Sequence, residues 1–243
     1  MKSLLIIIVT VMLFSSLSCK KKNTTPDPLP PTYGTSTTPP NYGTLQTMLI
    51  QYYNGHTFMR TDSMLTASFY ASPVTSTLST MVNAGTVSFN NIRLQNTTNQ
   101  YQDSTHTLNI HQANSVWNIS GSSSVPAFSY TVTPSYPTFI GNNLLPDSVS
   151  KAAGVVITLV GASNIANYGI AVEIISGGVI AHKSLAPNQT SCTFLSSDLA
   201  LLSPSTNAMI IIVFSNGTQQ TFGGKAYAFD NVLEHIKYIK LKS

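Results

Sequence analysis

Charged side chains are scarce in this sequence, since Asp, Glu, Lys and Arg together make up 8% of its 243 residues. The formal net charge of +4 overstates the basicity of the chain, because four of its lysines, Lys2 and Lys20–Lys22, lie near its start. Binding to nucleic acid depends on clustered cations that displace counterions. The sequence beyond Lys22 offers no such cluster, so this class of function is excluded.

Cysteine is equally rare, and the two present, Cys19 and Cys192, exclude a disulfide framework. Cys192 lies two residues before Phe194, on the same face of a predicted strand. This position predicts a buried packing thiol. A catalytic thiol would need a basic partner, and His182 is the only candidate nearby in sequence.

Sequence motifs of catalysis are also missing: there is no Gly-x-Ser-x-Gly, phosphate-binding glycine loop, His-Glu-x-x-His or Cys-x-x-Cys. His106 and His111 are five residues apart, which places them on opposite faces of a straight strand rather than around one metal ion. His56, His182 and His235 are expected at the surface or as caps. The sequence therefore predicts a protein that is not an enzyme and has no cofactor or metal, with a hydrolase built from two distant carboxylates as a minor alternative.

The first segment with a clear pattern is the leader, in which a basic start is followed by the apolar stretch Leu4–Leu17. As a helix this stretch reaches about 21 Å, against about 30 Å of bilayer hydrocarbon. It is too short for a comfortable permanent span and fits the apolar core of a secretory signal peptide.

The end of the leader, Ser16-Leu17-Ser18-Cys19, resembles the processing site of bacterial lipoproteins cut by signal peptidase II. The resemblance implies a signal peptide over 1–18 and a lipid on Cys19 that attaches the protein to a membrane. Cys19 followed by Lys20–Lys22 is similar to the start of Bacteroidetes envelope lipoproteins, which implies the cell outer membrane. Lysines in place of acids after the cysteine favour its periplasmic face over the cell surface. An ordinary secretory signal with an incidental cysteine is the alternative.

A proline-rich segment follows, and residues 19–44 hold six of the thirteen prolines. It contains a small repeat, Pro-Pro-Thr-Tyr-Gly-Thr at 30–35 and Pro-Pro-Asn-Tyr-Gly-Thr at 39–44. With few apolar side chains it is expected to be a disordered, extended tether, reaching at most about 75 Å.

After Thr44 the sequence consists of short β-like segments separated by turn signals, with one short helical segment predicted over Ser196–Leu202. The turn signals are Asn54-Gly55, Asn90-Asn91, Gly177-Gly178 and Gly223-Gly224. We predict an all-β fold with two β-sandwich domains, 45–140 and 141–243, the second immunoglobulin-like. A single large jelly roll is the main alternative. Trp117 is predicted to pack in the core.

Ala208–Phe214 is unusual because it is apolar on both faces, whereas a sandwich strand normally exposes one face to water. The neighbouring domain, a loop or a binding partner is expected to cover the second face, with the neighbouring domain preferred over a partner.

Two sets of residues suggest binding or modification. Tyr52, Tyr53, Tyr136 and Tyr168 lie near predicted turns or the domain join and would stack on sugars if exposed together. Three Asp-Ser pairs resemble O-glycosylation triplets of Bacteroidetes envelope proteins, which makes candidate acceptors of Ser63, Ser104 and Ser148. Asp-Ser also starts turns, which is the structural alternative.

Together these features predict a non-enzymatic, lipid-anchored protein of the cell envelope with a structural, adhesive or assembly role. Its expected partners are the membrane, through the lipid on Cys19, and a protein or glycan, but not nucleic acid. The alternative is a glycan-binding outer-membrane lipoprotein that assists a transporter.

Overall fold

Seventeen β-strands and two short helical segments are found in the described part of the chain, which a computed structural model gives as residues 41–74, 79–103, 110, 114–132, 136–163, 165, 168–186 and 189–243. The first nine strands are β1 (Gly43–Asn54), β2 (Thr57–Phe69), β3 (Val87–Phe89), β4 (Ile92–Arg93), β5 (Gln95–Thr97), β6 (Gln100–Gln102), β7 (Ser115–Ile119), β8 (Phe128–Val132) and β9 (Thr138–Phe139). The others are β10 (Ser148–Ser150), β11 (Val155–Thr158), β12 (Ala162–Ser163), β13 (Gly169–Ser176), β14 (Val179–Leu185), β15 (Ser191–Phe194), β16 (Ser205–Phe222) and β17 (Lys225–Lys242). A 3-10 helix spans Gly141–Leu144 and the α-helix α1 spans Ser196–Leu199.

The prediction of an all-β chain is confirmed, and so are three of its predicted tight turns. Asn90-Asn91, Gly177-Gly178 and Gly223-Gly224 each connect two antiparallel strands, and both residues of each pair have positive φ. This backbone conformation matches the twist of the strands and is tolerated best by Gly and Asn. The short helix is also found, and the backbone N–H of Leu195 donates to the Asp198 carboxylate at its start. Within the described residues no helix is long and apolar enough to cross a membrane.

A nine-stranded sheet dominates the fold, with strand order β14-β13-β16-β17-β1-β2-β6-β5 and β10 beside β17. β1 and β17 are parallel and pair over eleven residues, from Thr44 opposite Ala228 to Asn54 opposite Tyr238. On its other side β1 pairs with the antiparallel β2 along its whole length. The first strand of the body is therefore an interior strand of the sheet.

This sheet differs from the predicted division into domains at residue 140. Strands from 45–140 (β1, β2, β5, β6) and from 141–243 (β13, β14, β16, β17) belong to the same sheet, and residues 40–243 form one compact unit. The physical reason is the parallel pairing of β1 with β17. It joins segments that are remote in sequence, and each of them reads locally as an ordinary strand.

Smaller sheets pack on one face of the large sheet, and the two layers share one core. The four-stranded sheet β4-β3-β7-β8 contributes Phe89 and Trp117, whose rings lie edge to face at 5.0 Å. Trp117 is 1% exposed, which confirms its predicted core position. Cys192 is also buried in this core, as predicted, together with Phe194.

The opposite face of the large sheet carries a second apolar cluster. As predicted, the segment Ala208–Phe214 of β16 is apolar on both faces: Ile210 and Ile212 point into the core, whereas Ile211 belongs to the second cluster. The other buried members of this cluster are Met48, Ile50, Tyr52, Ile175, Val232 and Ile236. Neighbouring strands of the same sheet therefore supply the contacts of the second face of β16.

Candidate functional site

Lys237 has the least expected environment of any charged group in the described chain, because its side chain on β17 is 0% exposed. The Lys237 Nζ lies 2.8 Å from Asp147 Oδ1, 2.6 Å from the Leu145 carbonyl oxygen and 3.1 Å from the Asn142 carbonyl oxygen. An ammonium group has three hydrogens to donate. Each of them has an acceptor here, which is what permits burial of this charge.

The location of Lys237 explains these partners. Two strands pair in succession with β17: β1 ends with Asn54 opposite Tyr238, and β10 begins with Ser148 opposite Lys240. Both run parallel to β17. Lys237 therefore lies where one partner strand of β17 stops and the next one starts.

Side chains from the segment before β10 bind the turn at the end of β1. The Asn142 Nδ2 donates to the Gly55 carbonyl oxygen at 3.0 Å, and Asp147 Oδ2 lies 3.2 Å from His56 Nε2. We call this set of residues, Gly55, His56, Asn142, Asp147, His235 and Lys237, the polar junction. It connects the β1–β2 turn, the 3-10 helix and β17.

His235 completes the polar junction from inside the core. Its imidazole is 0% exposed, stacked on Tyr53 with ring centres 4.4 Å apart, and in edge contact with Phe139 at 4.8 Å. The Nε2 lies 3.2 Å from Asn142 Oδ1. Since the Asn142 amide nitrogen donates to Gly55, its oxygen must accept, which assigns the hydrogen of His235 to Nε2.

Burial sets the protonation of His235, and the hydrogen bond from Lys237 sets that of Asp147. Desolvation lowers the pKa of His235 from 6.5 to about 4, and the nearby charge of Lys237 lowers it further in the same direction. The pKa of the Asp147 carboxyl is lowered by its hydrogen bond from Lys237, and the charges of Lys237 and His56 act in the same sense. At neutral pH the polar junction thus holds a neutral imidazole, a carboxylate and an ammonium.

This arrangement is suited to holding strands together and not to catalysis. A nucleophilic lysine needs a free lone pair, and all three ammonium hydrogens of Lys237 are engaged. His235 is enclosed between Tyr53 and Phe139, out of reach of a substrate. In the described part of the chain no group of three or more His, Cys, Asp or Glu side chains could hold a metal ion. His106 and His111 lie outside the described residues.

The other three histidines were predicted at the surface or as caps, and the structure agrees for two of them. His56 and His182 are exposed and lie beside carboxylates, His56 at 3.2 Å from Asp147 and His182 at 3.1 Å from Glu173. The prediction that His235 is a surface or capping residue is wrong, because it is fully buried. Within β17 it lies on the same core-facing side as Leu233 and Ile239, because every second residue of a strand points to the same face.

A pair of acids on the other face of the sheet bears on the hydrolase alternative. Burial, and to a lesser degree the charge of Glu173, raises the pKa of Glu234 to about 7. Glu234 lies on β17 and Glu173 on β13, with β16 between them. The backbones of these two strands are about 10 Å apart. The Glu173 carboxylate lies 3.1 Å from His182 Nδ1, so it is directed at this histidine, which counts against a role as one of two catalytic carboxylates.

An open cleft of about 430 Å³ lies beside the exposed side of the polar junction. Its lining residues include Asn54, Met59, Asp147, Asn207 and Tyr238. The side chain of Asp147 is 55% exposed, so one edge of its carboxylate remains accessible from this cleft. Amides, a carboxylate and an aromatic ring are groups that bind polyhydroxylated molecules.

The structure does not bring the four tyrosines of the predicted sugar platform together on one exposed surface. Tyr52 is buried on the second face of the sheet beneath Arg60, whereas Tyr53 points to the core face and stacks on His235. Tyr168 is buried, and the Tyr136 hydroxyl donates to Thr47 Oγ1 at the edge of the core. Alternation along β1 separates the two adjacent tyrosines, as it must for neighbouring residues of a strand.

The candidate modification sites differ in accessibility. Ser148 is exposed on β10, whereas Ser63 is buried within β2, so an enzyme acting on the folded protein could reach Ser148 but not Ser63. Ser104 and Cys19 lie outside the described residues.

Cys192 offers no sign of reactivity. Burial raises the pKa of its thiol to about 11, against a weaker opposing effect of the charge of Lys183. A thiol that stays protonated at neutral pH is a poor nucleophile. His182, the one nearby candidate for a basic partner, is hydrogen-bonded to Glu173 and Ser184 instead.

The sequence did not indicate that Lys237 would bind Asn142 and Asp147. A signal for Lys237 was available, because it follows the core-facing positions Leu233 and His235 at intervals of two and precedes Ile239. A lysine on the apolar face of a strand requires an anion or carbonyl groups within reach. No pattern in the sequence indicated which residues would supply them.

Comparison with known proteins gives little to set beside this geometry. No family model and no curated protein matches the chain. Among solved structures, a 1.5-MDa bacterial ice-binding adhesin studied for its retention at the host cell surface is 12% identical, with a TM-score of 0.22 over 84% of this chain and 66% of that one. A Ca²⁺-stabilised adhesin that helps an Antarctic bacterium bind ice is 10% identical, with a TM-score of 0.21 over 82% of this chain and 49% of that one. This chain thus spans less than two thirds of either structure, and TM-scores near 0.2 do not establish a shared arrangement of strands.

Proposed function

We propose that this protein is a non-enzymatic, lipid-anchored component of the bacterial cell envelope with a structural or adhesive role. The sequence supports the anchor: an apolar leader, Cys19 at its end and a proline-rich tether after it. The three lysines after Cys19 favour the periplasmic face of the outer membrane.

The observation that carries the non-enzymatic part of the proposal is the polar junction. There the buried Lys237 Nζ binds Asp147 and two backbone carbonyl groups, and the buried His235 Nε2 lies within hydrogen-bonding distance of Asn142 Oδ1. Groups that catalyse reactions must instead point toward a substrate. The geometry therefore supports a role in which the β-sheet body is a stable scaffold.

The anchor is tested by labelling growing cells with palmitate. The label is expected in the native protein and in Cys192→Ala, and is expected to be lost in Cys19→Ala, which should no longer sediment with the envelope fraction. Cys192→Ala is the matched control because it removes the other cysteine of the chain. Label that persists in Cys19→Ala would contradict the proposal.

The intact mass of the native protein is read from the same preparation. Mass beyond the lipid would support O-glycosylation, for which Ser148 is the exposed candidate.

A second candidate function is binding of glycans beside an outer-membrane transporter, and the cleft lined by Asn54, Asn207, Asp147 and Tyr238 favours it. On this proposal, electrophoresis through polysaccharide gels is expected to show retardation with at least one polymer. Asn207→Ala should reduce the retardation, and Asn96→Ala, an exposed asparagine that does not line this cleft, should leave it unchanged. Migration unaffected by every polymer would contradict this candidate.

A further inference from the structure

We infer that β1 is a force-bearing strand, clamped between β17 and β2 so that a pull on the tether loads both hydrogen-bond ladders in shear. The inference rests on the proposed anchoring function for its biological meaning, but its geometry is independent of the lipid. It would add mechanical resistance to the properties of this protein.

The direction of β1 relative to β17 is the first step. The chain enters β1 at Gly43, and the parallel β17 leaves the sheet at Lys242, at the opposite end. A pull toward the N-terminal end of β1, with the far end of β17 held, slides the two strands along each other. Eleven residue pairs then share the load together. The β1–β2 ladder, antiparallel, is also sheared, because the pull is along the strand axis.

The pairing extends beyond the formal start of β1. The Tyr42 N–H donates to the Ala226 carbonyl oxygen at 2.7 Å, and the Tyr42 carbonyl oxygen accepts from the Tyr70 N–H at 2.8 Å. Asn41 also accepts, through its carbonyl oxygen, from the N–H of Val74. The chain is thus bonded on both sides at the point where a pull from the tether would arrive.

The polar junction holds the other end of β1. Sliding β1 toward its N-terminus pulls Gly55 and His56 away from Asn142 and Asp147. Asp147 is itself bound to the buried Lys237 of β17. These contacts bear the force in parallel with the two hydrogen-bond ladders. They must therefore break together with the ladders before β1 can slide. The position of the polar junction, at the end of β1 remote from the tether, is the one at which it opposes sliding.

The hairpin of β13 and β14 provides a comparison with β1 in the same molecule. β14 is an edge strand that pairs with β13 through a tight turn, with Ile170 opposite Leu185 at the open end. Pulling this open end apart separates one residue pair at a time. A hairpin loaded in this way resists far less than ladders loaded in shear, because only one pair bears the force at any moment.

The test is single-molecule force spectroscopy on the unacylated full-length chain at one loading rate. In the first attachment the chain is held through the Cys19 thiol and a cysteine appended after Ser243. In the second, Gly169→Cys and Ala186→Cys supply the thiols in a chain that also carries Cys19→Ser. Buried Cys192, with its pKa raised to about 11, leaves the attachment chemistry to the other thiols.

The first attachment is expected to require at least twice the unfolding force of the second. Asn142→Ala, which removes the bond to Gly55, should lower the force in the first attachment and leave the second unchanged. Equal forces in the two attachments would overturn the inference, whatever the behaviour of the variant. Palmitate labelling reports on the anchor separately, so failure of the anchor and failure of the clamp give different results.

Discussion

Lys237→Ala is expected to lower the free energy of unfolding by about 4 kcal/mol, from lost hydrogen bonds to a charged group and the cavity left by the side chain. The Lys237 ammonium binds Asp147 and the carbonyl oxygens of Asn142 and Leu145. Without it, the carbonyl groups lose a donor that water cannot readily replace at a fully buried position. Urea denaturation at pH 7 measures the change.

Two further variants show which part of Lys237 matters. Lys237→Met keeps most of the volume and removes the charge, so it should lose about half as much stability as Lys237→Ala if hydrogen bonds and packing contribute comparably. Lys240→Ala removes an exposed lysine three residues along the same strand and is expected to change stability by less than about 0.5 kcal/mol. A Lys237→Ala protein as stable as Lys240→Ala would contradict the role assigned to the polar junction.

The sequence was sufficient for those features that depend on neighbouring residues. Tight turns at Asn90-Asn91 and Gly223-Gly224 were predictable because positive φ favours Asn and Gly. The core positions of Trp117 and Cys192 followed from alternation along a strand. The apolar character of both faces of Ala208–Phe214 was also evident from alternation, but the expected cover by a neighbouring domain, a loop or a partner is supplied by side chains of adjacent strands in the same sheet.

The arrangement of the strands could not be predicted in the same way. Thr44 and Ala228 pair in the sheet although most of the chain lies between them. The local sequence around each residue does not indicate that the other is its partner. The polar junction depends on this pairing, because Gly55 and Lys237 approach each other only when β1 lies along β17. A boundary placed at the prolines near residue 140 separated strands that the structure joins in one sheet.

Stability is expected to depend on pH through His235, and the dependence should disappear in His235→Phe. The pKa of His235 is lowered from 6.5 to about 4 in the folded protein. The unfolded chain therefore binds more protons between these values, so stability is complete above pH 6.5 and is lost as the pH falls to 4. For this fully buried group the loss amounts to roughly 3 kcal/mol.

The stability curves of the native protein and of His235→Phe are expected to cross as the pH is lowered. At pH 7 His235→Phe should be less stable than the native protein by about 1 kcal/mol, since Asn142 Oδ1 loses its donor while the stacking on Tyr53 is retained. At pH 4 the order should be reversed, because phenylalanine has no proton to bind. Urea denaturation of both proteins from pH 4 to 8 locates the crossing, and curves that stay parallel over this range would refute the assignment.

The native protein must be compared with His235→Phe because Glu234 changes the stability with pH in the direction opposite to His235. Its pKa is raised from 4.5 to about 7, so its contribution is present below pH 4.5 and is lost as the pH rises through 7. In the native protein alone the two effects offset each other between about pH 4.5 and 6.5, and a flat profile would conceal both. His235 faces the core and Glu234 the opposite side of β17, so the substitution leaves the surroundings of Glu234 in place. Subtracting one profile from the other thus isolates His235.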